Sequence, residues 1–269
     1  MAAPQLPTTM RSSPHAVLPE SDQVSFAAVA VDGTARHRTD PEHALAAIAL
    51  RLARQVTPAE TLAEISRCAG QLLPGCNEIG VTLVCARGRR ENPVAGGPLV
   101  AACAALLFEP DVGPFGGELH GAPPVHITDT AAERRWPEFA SRVASAGVGC
   151  VLALPLLGAR GTVGVLSLLA AAADALDDDD VQLAAAFATH AGIALGHAEL
   201  QANLRTGLQT REEIGRAVGI LMERHRLTAA DAFDMLVVAS QHSHRKLRDV
   251  AAWMNETGED PSSLTRPRA

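Results

Sequence analysis

A short basic segment near the C-terminus carries side chains of the kind that bind phosphate. Arginine presents a fork of N–H donors to phosphate oxygens, lysine presents a point charge, and histidine rings can stack on bases. Ser243 is placed to cap a helix that begins in this segment, and the unpaired N–H groups at a helix N-terminus favour anions. The pattern predicts a polyanion-binding surface, with a solvated basic turn as the alternative on charge alone. Its candidate residues are His242, His244, Arg245, Lys246 and Arg248.

The composition argues against several enzyme classes. Lys246 is the single lysine and does not follow a glycine-rich loop, so a Walker A loop, a kinase strand lysine and pyridoxal chemistry are all excluded. Tyrosine is absent, which removes phenolic acid–base catalysis. The 5 cysteines form no Cys-x-x-Cys pair and the 10 histidines form no His-Glu-x-x-His motif. We therefore expect a binding protein that is not an enzyme and has no metal site.

Three segments with apolar residues at helical spacing surround the basic residues and predict a small bundle. Over residues 209–256, acidic and basic side chains are equal in number. Thr228 and Asp231 form a capping-box-like helix start, and Gly258 ends the last helix. The apolar stripes are Ile214, Ala217, Val218, Leu221 and Met222 in the first helix, Ala232, Phe233, Leu236 and Val237 in the second, and Leu247, Val250, Ala251 and Met254 in the third.

The upstream part mixes helices and strands. Short β-branched runs bounded by turn residues predict strands, and Gly158–Gly161 predicts a hairpin between two of them. Proline and glycine at helix ends predict flanking helices, and the middle of this part is rich in loops. An antiparallel sheet flanked by helices is an α+β sandwich. The predicted helices are 41–56, 57–73 and 136–146, and the predicted strands are 79–86, 125–128, 150–157 and 162–169.

A long helix is predicted for residues 181–224, after an acidic run at 177–180 that reads as a solvated N-cap. Such a helix extends roughly 65 Å, too far to be covered by one small domain, so we expect it to link the sandwich to the bundle. An intermittent apolar seam along it predicts a homodimer. The seam consists of Phe187, Ala191, Ala194, Ala198, Leu204 and Leu208, with Gly192, Gly196 and Gly207 permitting close approach.

Length and charge fit a globular protein of one or two domains, with 269 residues, 47% hydrophobic and 20% charged. No apolar run reaches the ~18 residues of a membrane span, and the first forty residues do not resemble a secretory signal. We therefore expect a cytoplasmic protein without membrane contact. The net charge of −7 does not oppose polyanion binding, because the bundle itself is neutral.

The C-terminal segment closely resembles the ANTAR domain of bacterial transcription antitermination regulators. The matching runs are Ile214–His225, Thr228–Leu236 and Ser240–Ala251. The resemblance implies a three-helix bundle that binds nascent RNA stem-loops and prevents a terminator from forming. It also implies RNA-binding roles for the signature residues Ala217, Gly219 and Met222 and for the basic residues Arg245 and Lys246.

The upstream part is similar to a GAF domain. The resemblance implies a sensor that binds a small molecule in its pocket, but the fold does not select among ligands, so the cofactor stays unknown. The chain lacks the Cys-His dipeptide that attaches bilins and the motif that binds cyclic nucleotides. His120 or His126 could ligate haem, although a lone histidine is more often an ordinary hydrogen-bonding residue. The matching runs are Ile79–Ala86, Val125–Asp129, Arg135–Pro137, Ser145–Leu157 and Gly161–Leu169.

Together these features predict a signal-responsive antitermination regulator. Its domains are a disordered leader at 1–40, a GAF-like sensor at 41–200, an ANTAR RNA-binding domain at 201–258 and a tail at 259–269. One alternative is a DNA-binding transcription factor, because three small helices with a basic third one also fit a helix-turn-helix. A less favoured alternative is a GAF-fold enzyme that reduces methionine sulfoxide through Cys76, Cys85 and Cys103.

Overall fold

The computed structural model describes residues 41–84, 90–95, 97–117 and 119–265, with only the backbone for residues 41–42, 90–95, 98 and 265. The predicted leader at 1–40 lies outside these ranges. The chain divides into two compact units between Ala198 and Glu199. No helix in the described part of the chain is long and apolar enough to cross a membrane.

Two helices open the N-terminal unit, α1 at Pro41–Ala53 and α2 at Pro58–Leu72. The Thr57 side chain accepts a hydrogen bond from the Glu60 backbone, and the Glu60 carboxylate accepts one from the Thr57 backbone. This reciprocal capping box fixes the start of α2 where the sequence predicts it. The helix predicted for residues 41–56 ends earlier, at Ala53, so Val56 lies beyond α1 and is exposed.

Five strands form one antiparallel sheet in the order β2-β1-β5-β4-β3. The central hairpin is confirmed, since Gly158 pairs with Gly161, whose φ of 119° suits glycine. The strands are β1 at Glu78–Val84, β2 at Arg90–Ala95, β3 at Val125–Ile127, β4 at Cys150–Gly158 and β5 at Gly161–Ala170.

Two elements occupy a stretch that the sequence predicts to be loop. Helix α3 at Pro98–Leu107 is apolar on every side, so no polar face reveals a helical period. Strand β2 contains proline and charged residues, which a strand tolerates at a sheet edge. Helix α4, at Pro137–Ser145, agrees with prediction.

Side chains cover both faces of the sheet, which explains why β4 and β5 are almost continuously apolar. Leu152, Leu154 and Leu168 point to the face that packs against α1, α2 and the following helix. Val151 and Val165 alternate to the other face, against α3 and α4. With both faces buried, neither strand shows the alternation of a half-exposed sheet.

Helix α5 runs from Asp178 to His225 and contributes residues to both units. Its start is capped, because the Asp180 N–H donates to Asp177 Oδ1 at 2.8 Å. The predicted seam is wrong in its first part, since Phe187, Ala191 and Ala198 are buried within the N-terminal unit. Leu204 and Leu208 are the exposed members of that seam.

The C-terminal unit contains the rest of α5, α6 at Ala229–Ser243, α7 at Leu247–Thr257 and a short 3₁₀ helix at Pro261–Thr265. Three apolar stripes meet in its core, as predicted from their spacing. Met222 and Phe233 were expected in those stripes, but both side chains are exposed. The buried core consists of Ala217, Leu221, Ala232, Leu236, Ala239, Val250, Ala251 and Met254.

The predicted capping role of Ser243 is wrong. Ser243 is the last residue of α6, and its hydroxyl donates to the Ala239 carbonyl at 2.6 Å within that helix. Helix α7 begins three residues later than a Ser243 cap requires, with Lys246 at its N-cap position and no side-chain cap. The turn between the two helices is therefore built from the basic residues themselves.

Candidate nucleic-acid interface

The candidate basic turn, residues 244–248, has a backbone held by specific hydrogen bonds. His244 lies in the left-handed region at φ 52° and reverses the chain after α6. The Ser240 hydroxyl donates to the Arg245 carbonyl at 2.6 Å, and the Arg245 N–H donates to the Ser240 carbonyl at 3.2 Å. The Lys246 carbonyl then accepts from the Asp249 N–H at 2.8 Å and starts α7. The two cations are thus presented from a fixed loop.

The charges of the basic turn are unequally neutralised. Arg248 contacts the Asp249 carboxylate, with Nε 3.3 Å from Oδ1 and both side chains about half exposed. Arg245 and Lys246 are exposed, and neither forms an ion pair with any residue that the structure describes. Two adjacent unpaired cations on a rigid turn favour a ligand with closely spaced negative charges.

Five of the predicted site residues lie in or beside this turn, and three lie on α5. His242 is exposed in the last turn of α6, next to the left-handed His244. Gly219 is open, because a Cβ there would meet nothing within 4 Å, and Met222 is exposed. Ala217 is fully buried in the bundle core, so its side chain offers no surface to a ligand.

An open groove of about 650 Å³ runs along the exposed face of α5 in this unit. Arg224 on its wall donates to the Gly258 carbonyl at 2.9 Å, and Arg216 pairs with Glu212 at 3.1 Å. Both guanidinium groups therefore already have a hydrogen-bond or ion-pair partner within the chain. The lining residues are Arg216, Gly219, Ile220, Glu223 and Arg224.

Sequence reasoning missed one exposed aromatic side chain. Phe233 lies on α6 with 41% of its surface exposed, next in sequence to the fully buried Ala232. A helical projection turns by about 100° per residue, so the core positions Ala232, Leu236 and Ala239 already place Phe233 off the core face. That projection is the signal that would have identified it.

The thiols that the structure describes in the N-terminal unit lie in conditions that disfavour redox chemistry. Burial raises the pKa of Cys76 to about 12 and that of Cys103 to about 12. The thiolate is the nucleophile in cysteine chemistry, so these thiols are poorly reactive near neutral pH. Cys85, the third candidate, lies outside the described residues. His126 Nε2 lies 3.8 Å from the Cys150 sulfur, and burial lowers the pKa of this histidine.

Two protein-family models match the chain. A GAF domain model matches residues 39–196, and an ANTAR domain model matches residues 202–254. No curated protein sequence gave a match.

Solved structures resemble the chain at low sequence identity. The GAF domain from an Acinetobacter phosphoenolpyruvate-protein phosphotransferase is 11% identical, with 59% of this chain and 94% of that one covered and a TM-score of 0.41. A bacteriophytochrome from the photosynthetic bacterium R. palustris is also 11% identical, with 78% of this chain and 48% of that one covered and a TM-score of 0.50. The second likeness shows a shared fold and nothing more.

Proposed function

This chain belongs to the GAF domain family and carries an ANTAR domain, and from that premise we propose that it is a signal-responsive transcription regulator that binds nascent RNA stem-loops and prevents termination. An ANTAR domain is an RNA-binding antitermination module, and a GAF domain is a sensor. The observation that carries the proposal is the pair of exposed, unpaired cations, Arg245 and Lys246, on the basic turn. Bacteria make their transcripts in the cytoplasm, and a regulator of the kind found in bacteria would act there, so we place the protein in that compartment.

The sensor unit is proposed to bind a small molecule on the α3 and α4 side of the sheet. Ser167 on β5 lies between Val165 and Leu169, which point to that side. Its hydroxyl is buried and has no hydrogen-bond partner among the described residues. A buried hydroxyl without a partner is costly, and a ligand with one hydrogen-bonding group would satisfy it.

The chain is also proposed to form a homodimer through α5. Leu200, Leu204 and Leu208 follow one another at four-residue spacing on α5 and are all exposed. Residues at this spacing share one face of a helix, so the three leucines form a stripe. A second copy of the same helix is a partner that would cover it.

The proposed function is tested by charge removal on the basic turn of the full chain. The variant Arg245→Ala with Lys246→Ala should weaken binding to a pool of RNA hairpins. It should also reduce the slope of log affinity against log salt by about one to two units. Each phosphate contact that is lost lowers the number of counterions released when the RNA binds. The fold should persist, since both side chains are exposed.

The matched control removes two exposed arginines from the sensor unit, as Arg134→Ala with Arg160→Ala. It changes the net charge equally and should leave hairpin binding unchanged. Equal binding by the Arg245 and Lys246 double variant would exclude the basic turn as the interface. Preference of the wild-type chain for duplex DNA over every hairpin would contradict the antitermination proposal itself and favour a DNA-binding regulator.

A further inference from the structure

Phe233 is an aromatic side chain exposed beside the proposed RNA interface. The other phenylalanines that the structure describes are buried to at least 96%, whereas 41% of Phe233 is exposed. Exposure of a single apolar side chain is common and needs no explanation by itself. The position of this ring relative to the unpaired cations is what indicates a role in ligand binding.

One face of α6 leads from this ring to the basic turn. Phe233, Val237 and Ser240 are four and then three residues apart, which places them on one side of a helix. Ser240 is bonded twice to the Arg245 backbone, through its hydroxyl and its carbonyl. Phe233 lies two helical turns before Ser240, which is about 10 Å along the axis. The ring and the exposed basic turn therefore lie at the two ends of one face of α6.

This surface has the chemistry of a single-stranded nucleic-acid site. Unpaired bases are bound by stacking on aromatic rings while cations hold the adjoining phosphates. Val237 is half-buried between the ring and the turn, so no charged side chain of this face interrupts the path. A purely apolar protein partner would leave Arg245 and Lys246 without counter-charges, whereas a nucleotide supplies both a flat base and a phosphate.

We propose that Phe233 is a stacking platform for an unpaired loop base of the RNA whose phosphates contact Arg245 and Lys246. This inference rests on the proposed function and adds to it a specificity-determining residue. Stacking on a phenyl ring requires an accessible base, so the surface selects hairpins that present an unpaired base near the contacted phosphates.

The test uses the full chain and a pool of RNA hairpins with one fixed stem and randomised loops. The tightest-binding hairpin is isolated with the wild-type chain, and its affinity is measured for Phe233→Ala, Phe233→Leu and Phe233→Trp. Loss of the ring in the first two variants should weaken binding about 5- to 100-fold. Phe233→Trp should bind at least as tightly as wild type. The control Val238→Ala removes a comparably exposed side chain, 48% against 41%, on another face of α6 and should have no effect.

A second measurement couples the ring to one base. Each loop position of the selected hairpin is replaced in turn by an abasic nucleotide. At one position the abasic change should weaken binding to wild type as much as Phe233→Ala does, and should cause no further loss in Phe233→Ala. Such non-additivity indicates direct contact between the two changed groups. Phe233→Leu keeps the apolar bulk, so it reports on stacking even where Phe233→Ala fails to fold.

The outcomes separate this inference from the proposed function. Wild-type hairpin binding that depends on Arg245 and Lys246 but not on Phe233 would overturn the stacking role and leave the proposed function standing. The stacking role would also be overturned if, at every loop position, the abasic change weakened binding by the same factor in Phe233→Ala as in wild type. A change of oligomeric state in Phe233→Leu would overturn it as well, because it would assign the ring to a protein contact. Absence of hairpin binding by the wild-type chain would contradict both.

Discussion

His244 links the two helices of the proposed interface through a strained backbone. Its φ of 52° is a left-handed conformation that costs a non-glycine residue about 1–2 kcal/mol. His244→Gly should therefore raise the free energy of unfolding by about 0.5–1 kcal/mol, measured by urea denaturation. The control is His242→Gly, in the last turn of α6, which should lower it by up to about 1 kcal/mol. A decrease for both variants would show that the histidine ring itself stabilises the turn.

His126 on β3 makes stability depend on pH. Burial lowers its pKa, and Arg135 adds to that effect while Asp178 and Asp174 oppose it. The unfolded chain therefore binds a proton more readily than the folded one. The free energy of unfolding should fall as the pH decreases from about 6.5 towards the lowered pKa, and be unaffected by this group at higher pH.

Denaturation of His126→Gln across this range should show a weaker pH dependence than wild type. The control is His190→Gln, which removes an exposed imidazole from α5. A wild-type slope retained in His126→Gln would assign the dependence to another group.

At the scale of elements, α5 approaches the sheet through glycine. A Cβ on Gly192 would lie 2.5 Å from the Leu157 backbone N, and a Cβ on Gly196 would lie 3.2 Å from the Gly158 Cα. Gly192→Ala should destabilise the chain by about 1–3 kcal/mol despite the better helix propensity of alanine, because the helix must move away. Gly207→Ala in the same helix, with nothing within 4 Å, should stabilise it by up to about 1 kcal/mol. Denaturant unfolding of both variants measures the contrast, and a stabilising Gly192→Ala would contradict the close packing.

At the scale of the whole molecule, self-association should depend on the leucine stripe of α5. Leu204 and Leu208 are 60% and 65% exposed, and covering a leucine contributes about 1.5–3 kcal/mol. Replacing both by aspartate should convert the proposed dimer to a monomer in sedimentation equilibrium. Thr206→Asp with Gln209→Asp adds the same charge on another face of α5 and should remain dimeric. A wild-type chain that is monomeric at all micromolar concentrations would contradict the proposed dimer.

Interactions between residues close in the sequence determine where most of the helices and turns begin and end. The start of α2 after Thr57, the hairpin at Gly158 and Gly161, and the cap at Gly258 depend on residues within a few positions of each other. Such features are decided by backbone geometry and short-range hydrogen bonds, so the sequence alone predicts them. The same holds for the cations Arg245 and Lys246, whose sequence neighbours form the turn.

Contacts between distant segments decided the rest. Helix α3 is a helix without a polar face because the sheet and α4 cover it, and α5 buries Phe187 because β4 allows a close approach. Ala217 and Phe233 were both expected on apolar stripes, yet packing of three helices buried the first and exposed the second. Periodicity predicts that a helix has an apolar side, but which residues on its border are buried depends on the direction from which its neighbours pack.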